Sequence, residues 1–482
     1  MNALTPNPNP VVTVQVSTIL SPAPVNYQQT GALVSFGATT LAPNTQRLLT
    51  QFNDLKSFLQ PVGAVTSAVL TTGVVTVTLT AALPSGIANG DIVPMSLTGF
   101  VPMAYNGLIQ GTIVSPTSFT YPLAGTPGSV TTQGKYQLGS SSQLNAQAAT
   151  YFRQGTGNGV YVLELGQQVN IAGEITALET WLNTNQLSFY GYLLPDYWGT
   201  TTNIPTVLAL YEQFENPEAM TYFWTTIQPE AAGLIPTTAK CIVQLVEAPG
   251  VAAARAAAPP GNFAEFTMAA MFYAALSFKP TSVTPVSPMC FKFVYGVTPY
   301  PVTGNGPLLV GFKTNFVNYI QTGAEGGIAF TNVYQGVTAD GMDYFNWWFT
   351  IDWVQINANI DLTNAIINGS NNPLAPLYYN QPGINVLQAT LASTMQRAAG
   401  FGMVTGVVVQ TEFTTPDLAS AISSQTFTGQ CDVNAVPFIW YSQQNPSDFG
   451  TGEYDGLSTL FIPARGFVHI LVQVVATDIV TV

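Results

Sequence analysis

Ionisable side chains are scarce in this sequence. Its 482 residues include 11 Lys and Arg and 24 Asp and Glu, so charged residues make up 7% of the chain, where ordinary domains run at about 25%. From Met1 to Gly134 the only charged residues are Arg47, Asp54, Lys56 and Asp91. Most of the surface must therefore be uncharged. Large, mildly apolar surfaces mark contacts between macromolecules, because isolated monomers expose only limited apolar patches. The deficit of charge points first to an assembly protein.

Other absences exclude further classes. The 11 basic residues are scattered and the net charge is −13, which argues against nucleic acid as a partner, since phosphate binding needs clustered Lys and Arg. The longest strongly apolar stretch, Met268 to Phe278, is about half of the roughly 20 residues that span a bilayer as a helix. No direct membrane insertion is expected. No Lys or Arg precedes Arg47, so the positive start of a secretory signal peptide is missing and Sec export is not expected. Cys241, Cys290 and Cys431 are odd in number and far apart. They fit neither a disulfide framework nor a zinc site and are expected as reduced core residues.

Catalytic chemistry finds little support. The one histidine, His469, lies between Val468 and Ile470, and no G-x-S-x-G, H-E-x-x-H or C-x-x-C spacing accompanies it. Its expected role is structural. Gly155, Gly157 and Gly159 in GTGNGVY resemble a dinucleotide loop faintly, but the third glycine falls one residue early and the predicted order is helix then strand. A turn is the better reading. GNGPLLVGFKT ends in Lys-Thr, yet Phe312 stands where a phosphate loop requires Gly. Asp343, Asp352 and Asp361 recur every nine residues on one predicted helix. Asp352 then points away from the other two, which sit about 27 Å apart, so no acid/base pair forms; Asp340 and Asp343 suit the helix N-terminus instead. Asp448, Glu453 and Asp455 lack the spacing of a calcium loop and read as a solvated loop. Asn368-Gly-Ser370 matches a glycosylation acceptor, irrelevant without secretion. Tyr344, Phe345, Trp347, Trp348, Phe349 and Trp353 read as packing for a core or subunit interface rather than a ligand cage. No catalytic, cofactor-binding or metal-ligating residue is assigned, and no cofactor is expected.

A hydrophobic fraction of 47% argues against disorder, and the length implies roughly two to four domains. After a Pro/Asn leader, Val12, Val14 and Val16 alternate with polar residues in a predicted strand, Val11 to Ser17. Asn44 is positioned to cap a helix carrying Leu48, Leu49, Phe52, Leu55 and Leu59, ending before Pro61. Residues 62–137 are β-rich runs between Gly, Pro and Ser clusters. Helices near 143–153 and 174–182 then alternate with strands at 160–165 and 187–194, an α/β pattern. A helical stretch is predicted over Pro205 to Ile227 with a break near Pro217, then a strand over Lys240 to Val246 and a Pro/Ala-rich loop to Pro260. Asn262 and Glu265 resemble a capping pair for the all-round apolar helix FTMAAMFYAALSF. Further helices are predicted at 309–321, 341–367 and 384–399. Strands are predicted near 328–333, 404–411 and 436–441, and in a closing segment over 467–476 in which Val468, Ile470, Val472 and Val474 share a face.

Several segments in this order resemble the contractile-tail sheath protein of bacteriophages: TGALVSFG, QAATYFRQGTGNGVYVLELG, LLVGFKTNFVNYIQTG, GMDYFNWWFTIDWVQINANIDL and ARGFVHILVQVVATDI. They cover most of the chain outside 62–137, although none is a diagnostic short motif. The resemblance implies an α/β and α+β multidomain chain: a mixed-sheet sheath core with helices, a small all-β inserted domain and extended terminal arms. The implied divisions are an arm at 1–20, an α/β sheath region at 21–61 and 138–279, and the inserted domain at 62–137 on the outer surface. A C-terminal α+β core at 280–476, nearer the tail tube, and an arm at 477–482 complete them.

The function implied is structural: six subunits per ring, rings stacked helically around the tail tube, and contraction that drives the tube through the host envelope. Partners would be further copies of the chain, the tail tube protein, and the baseplate and tail terminator proteins, in a virion assembled in the host cytoplasm. Arms that add strands to neighbouring subunits gain main-chain hydrogen bonds without needing charge. Val12, Val14, Val16, Val468, Ile470, Val472, Val474, Val480 and Val482 are the candidate strand-addition residues. Other readings are a tube or baseplate protein, a surface-layer subunit, or a glycoside hydrolase using two carboxylates.

Overall fold

The computed structural model describes residues 27–84, 87–168, 170–215, 219–257, 264–301, 306–325, 328–341, 345–413 and 429–466. The predicted strand at Val11 to Ser17 and the closing strand from Phe467 lie outside them. The fold within them is mixed α/β, built around a six-stranded sheet and a closed barrel.

The sheet has the order β12 (Ile242–Val246), β11 (Tyr222–Ile227), β10 (Gly191–Leu193), β1 (Gly31–Ser35), β9 (Val160–Glu164) and β2 (Thr45–Leu49). All pairs are parallel except β2 with β9. Successive side chains of a strand point to opposite faces, so Leu33 joins one apolar core while Ala32 and Val34 join another. On the first face lie α2 (Ser141–Gln154) and α6 (Thr267–Leu276); on the second lie α3 (Ile171–Thr184) and α4 (Ile204–Glu212). A parallel sheet covered on both sides needs strands that are apolar throughout. The fully buried YFWTTI of β11 and IVQLV of β12 meet that need, each keeping only Thr or Gln as a polar member.

Two predicted helices give way to strands here. The leucines at 48 and 49 form β2 instead of a helix: Leu49 is buried while Leu48 is exposed, and the unpaired edge of β9 offers a hydrogen-bonding partner that outweighs helix propensity. Only α1 (Phe52–Leu55) remains helical, with the Asp54 carboxyl held down to about 2 chiefly by hydrogen bonds from the Thr50 backbone and hydroxyl. The stretch predicted helical to Ile227 ends instead at Glu212, and Tyr222–Ile227 becomes β11. A short apolar run is compatible with either period, and the sheet decides it. A third departure runs the other way: the expected Pro/Ala-rich loop contains α5 (Pro249–Ala257).

Residues 63–138 form a closed, all-antiparallel barrel in the order β3 (Gly63–Thr71), β4 (Val74–Leu79), β7 (Ser118–Pro122), β6 (Gly107–Ser115), β5 (Ile92–Thr98) and β8 (Lys135–Leu138). In β4, Val75, Val77 and Leu79 enter the barrel core and Val74 and Thr76 face outward, the alternation of a one-sided strand. The chain leaves the barrel through Gly139, whose φ is +63° and whose absent Cβ would lie 2.4 Å from the Gly37 carbonyl carbon. Only glycine fits both demands.

The remaining chain forms a ribbon, a helical hairpin and a small sheet. After α7 (Gly306–Thr314), β13 (Tyr319–Glu325) and β14 (Ile328–Tyr334) pair antiparallel. The predicted helix at 309–321 is therefore shorter, and its end is strand. Asn318 ties the ribbon to the large sheet, exchanging backbone hydrogen bonds with Gln244 and Val246 while its side chain bridges Gln244 and Val337. The long α8 (Phe345–Asn371) pairs with α9 (Gln381–Gly400), which Asn380 caps through Gly383 N at 3.0 Å. β15 (Val404–Thr405) pairs with β19 (Ile462–Pro463), and β16 (Val407–Glu412), β17 (Gln430–Ala435) and β18 (Leu457–Leu460) form a three-stranded sheet under α9. The strand predicted at 436–441 is instead the helix Phe438–Gln444, because Pro437 closes the strand and starts a helical turn.

Candidate assembly surfaces and buried charges

The nine candidate strand-addition residues, Val12, Val14, Val16, Val468, Ile470, Val472, Val474, Val480 and Val482, lie outside the described residues, as do His469 and Asp343. The other singled-out side chains can be placed. Phe345, Phe349 and Trp353 are core residues; Trp347 and Trp348 are half-buried beneath cations, with Arg465 4.2 Å from the Trp347 ring centre and Lys240 4.6 Å from that of Trp348. These five aromatics pack against the core or a cation, and Tyr344 lies outside the described residues. Asp361 pairs with Arg397 on the facing helix, and Asp340 accepts from Thr338 and Trp348 ahead of α8. Asp448 accepts from the Tyr441 hydroxyl at 2.8 Å. Among the described residues no cluster of His, Cys, Asp or Glu is suited to hold a metal. Cys241, Cys290 and Cys431 are buried and free. No described helix is long and apolar enough to cross a membrane.

Several of the scarce charges are used inside. Glu164, Glu174, Lys240, Glu247, Arg255, Asp340, Asp352 and Asp432 are all buried. Glu164 at the end of β9 accepts from Ser35, Thr39, Gly37 and Gly166, joining the carboxyl ends of β1 and β9; burial raises its pKa against the pull of those bonds. Glu174 accepts from Tyr197 at 2.8 Å and Trp198 at 2.7 Å, and burial pushes it up to about 7. Asp352 on α8 accepts from Tyr190 and Tyr222 of the sheet, and burial pushes it up to about 6 although Lys240 opposes this. Arg255 of α5 is bound by Glu247, which follows β12, and by Asp196, which follows β10. Burial works against its charge, but the two carboxylates outweigh that and raise its pKa. These groups join elements far apart in sequence, so no local motif announces them. The available signal is isolation: a single Arg in the run AAARAAAP, in a chain so poor in charge, is a candidate for a buried partner.

The exposed surface of the C-terminal layer is the opposite. Tyr378 is 66% exposed, Ile439 64%, Trp440 48% and Phe449 46%. They surround an aromatic cluster in which Tyr379 stands 5.7 Å from Phe438 and 5.3 Å from Phe449. In the same layer, β16 pairs among the described residues only with β17, and Val407 at its start is 71% exposed. The barrel also presents Val69, Val74, Val101, Met103 and Val114 outward.

No protein-family model matches the chain, and no curated protein does. Among solved structures the chain is similar to the sheath tail protein Lin1278 from Listeria innocua, at 11% identity over 78% of this chain and 85% of that one, with a TM-score of 0.37. It is also similar to the helical sheath of the anti-feeding prophage in its contracted state, at 11% identity over 82% of this chain and 91% of that one, with a TM-score of 0.42. Both are sheath proteins. Both scores lie below 0.5, and neither similarity carries a role across to this chain.

Proposed function

We propose that this chain is the sheath subunit of a contractile tail, polymerising as stacked six-membered rings around a tail tube and shortening to drive that tube through a host envelope. The observation that carries the reading is the exposed apolar surface at Tyr378, Ile439, Trp440 and Phe449, bordered by Asp448, Glu453 and Asp455, in the same layer as β16, which among the described residues pairs only with β17. Such a surface is costly on a monomer and useful in a lattice. The residues of the family resemblance add support, because they coincide with the framework: β1 and β9 are hydrogen-bonded neighbours in the large sheet, and α8 is anchored to that sheet through Asp352.

In this reading the N-terminal arm at 1–20 and the C-terminal arm at 477–482 add strands to neighbouring subunits, with Val12, Val14 and Val16 facing one way and Val480 and Val482 completing the other arm. The sheath region comprises 21–61 and 138–279, the core nearer the tube is 280–476, and the barrel stands outward as an inserted domain. Its exposed Val69, Met103 and Val114 make it a contact with neighbouring subunits as well. Contraction switches between two packings of nearly rigid subunits and uses no nucleotide. Tube, baseplate and terminator proteins are the remaining partners, met in a virion assembled in the host cytoplasm. Removing residues 1–20 tests the arm: sedimentation should show a folded but unpolymerised subunit, whereas normal polymers from the truncated chain would refute it.

A further inference from the structure

A cleft of about 370 Å³ opens at the carboxyl ends of the parallel strands β10, β11 and β12. It is lined by Asp196 after β10, by Thr226, Ile227 and Glu230 at and beyond the end of β11, by Glu247 after β12, and by the first turns of α2 and α5. Leu108 of the barrel closes one side. The carboxyl edge of a parallel sheet is where open α/β folds take ligands, but position alone says nothing of what would bind. The side chains do.

Two lining residues each carry a buried polar atom with no partner within the protein, Gln143 at Oε1 and Thr226 at Oγ1. They are 4% and 3% exposed. Gln143 Nε2 donates to the Asp196 carboxylate, which leaves the amide carbonyl oxygen as the free group. A buried polar group without a partner is costly to leave so, and here an acceptor and a hydroxyl both await a donor. Arg255 cannot serve: its guanidinium is committed to Glu247, Asp196 and the Glu265 carbonyl.

Charge decides the class of ligand. One guanidinium faces three carboxylates, Asp196, Glu230 and Glu247, a formal excess of two negative charges. The N-termini of α2 and α5 each offset this by about half a charge, and by themselves they would favour an anion. The carboxylates prevail by about one charge, and an anion would also meet the lone Gln143 oxygen. Ile227, Pro229 and Ala252 line the cleft as well and can take an aliphatic stem.

We propose that this cleft binds a primary ammonium group on an aliphatic chain, its N–H groups donating to Gln143 Oε1 and Thr226 Oγ1 and its charge facing Glu230 and Asp196. The ammonium comes from a free alkylamine or from a lysine side chain of another polypeptide. The inference does not depend on the sheath reading.

Isothermal titration of the full chain with n-butylammonium tests it. A ligand of this size is expected to bind with a Kd of about 1 mM, with n-butanol and inorganic phosphate at least about tenfold weaker. Thr226→Val removes an unpaired hydroxyl, so it should fold at least as well as the parent while weakening n-butylammonium about tenfold. Glu230→Gln, at the exposed rim, should weaken it by a smaller factor without burdening the fold. Nα-acetyl-lysine N-methylamide binding as tightly as n-butylammonium assigns the site to a chain-borne lysine; binding about tenfold weaker assigns it to a free amine. Equal binding of n-butanol, tighter binding of phosphate, no binding of n-butylammonium, or unchanged affinity in both variants would overturn the proposal.

Discussion

The large sheet and the barrel are both β structures with well-filled cores, yet they handle polarity in contrary ways. Around the sheet, carboxylates and cations are drawn inside and bound by partners on other elements: Glu164 between β1 and β9, Glu174 under Tyr197 and Trp198, Asp352 between α8 and the sheet through one of its two oxygens, and Arg255 with Asp196 and Glu247. Among the described residues the barrel core holds no carboxylate or cation: it is Val, Leu, Ile, Ala, Met and aromatic, and the buried polar residues of its strands, Ser96, Thr98 and Gln137, are neutral. Its outward residues are mostly Thr, Ser and Val, paired locally as in the 3.1 Å contact of the Thr66 and Thr80 hydroxyls. The contrast shows that the chain is even poorer in surface charge than its composition suggests, because part of a small stock is used to join elements within the subunit. What remains outside is a surface suited to other proteins.

The contrast can be broken at its strongest point first. Arg255→Met leaves Asp196 and Glu247 facing each other without a cation, and breaking a buried pair this way costs about 3–5 kcal/mol, measurable by urea denaturation. A loss below about 1 kcal/mol would mean that the buried charges are incidental.

The pH dependence is the next largest effect. Glu174 and Asp352 have folded-state pKa values of about 7 and about 6, raised by burial above those of the unfolded chain. Both therefore favour the folded state in their protonated form. That contribution is fully present below about pH 4, where the unfolded carboxyls also hold their protons, and is lost as the pH rises towards 7. Stability should fall by about 2–3 kcal/mol for each group over that interval, and Glu174→Gln should remove its share of the slope. A profile that rises steadily from pH 4 to pH 7 would contradict the assignment.

The smallest effect belongs to the barrel exterior. Thr80→Ala removes one exposed hydroxyl contact and should change stability by less than about 0.5 kcal/mol. A loss of several kcal/mol would show that the barrel also relies on polar bonds.

Legibility in the sequence followed the same division. The alternating valines of β4 and the all-round apolar α6 were readable because burial on one face, or on all, leaves a period in the sequence. β2 and β11 were not, since Leu48-Leu49 and YFWTTI fit a helix as well as a strand until the edge of β9 and the two-faced sheet select one. The Arg255 cluster was invisible to motif reading because Asp196, Glu247 and Arg255 meet only through the topology of β10, β12 and α5. The outer apolar surface was foreshadowed by the shortage of charge, though not its position at Ile439 and Trp440, where a strand had been expected instead of a helix.

The central claim is that this surface exists to build a helical polymer, and electron microscopy of the purified full-length chain tests it most directly. We expect long hollow tubes with six-fold end views, lost in Ile439→Ser/Trp440→Ser while the subunit remains folded. Dispersed single subunits from the unaltered chain, at every concentration and salt condition tried, would contradict the account.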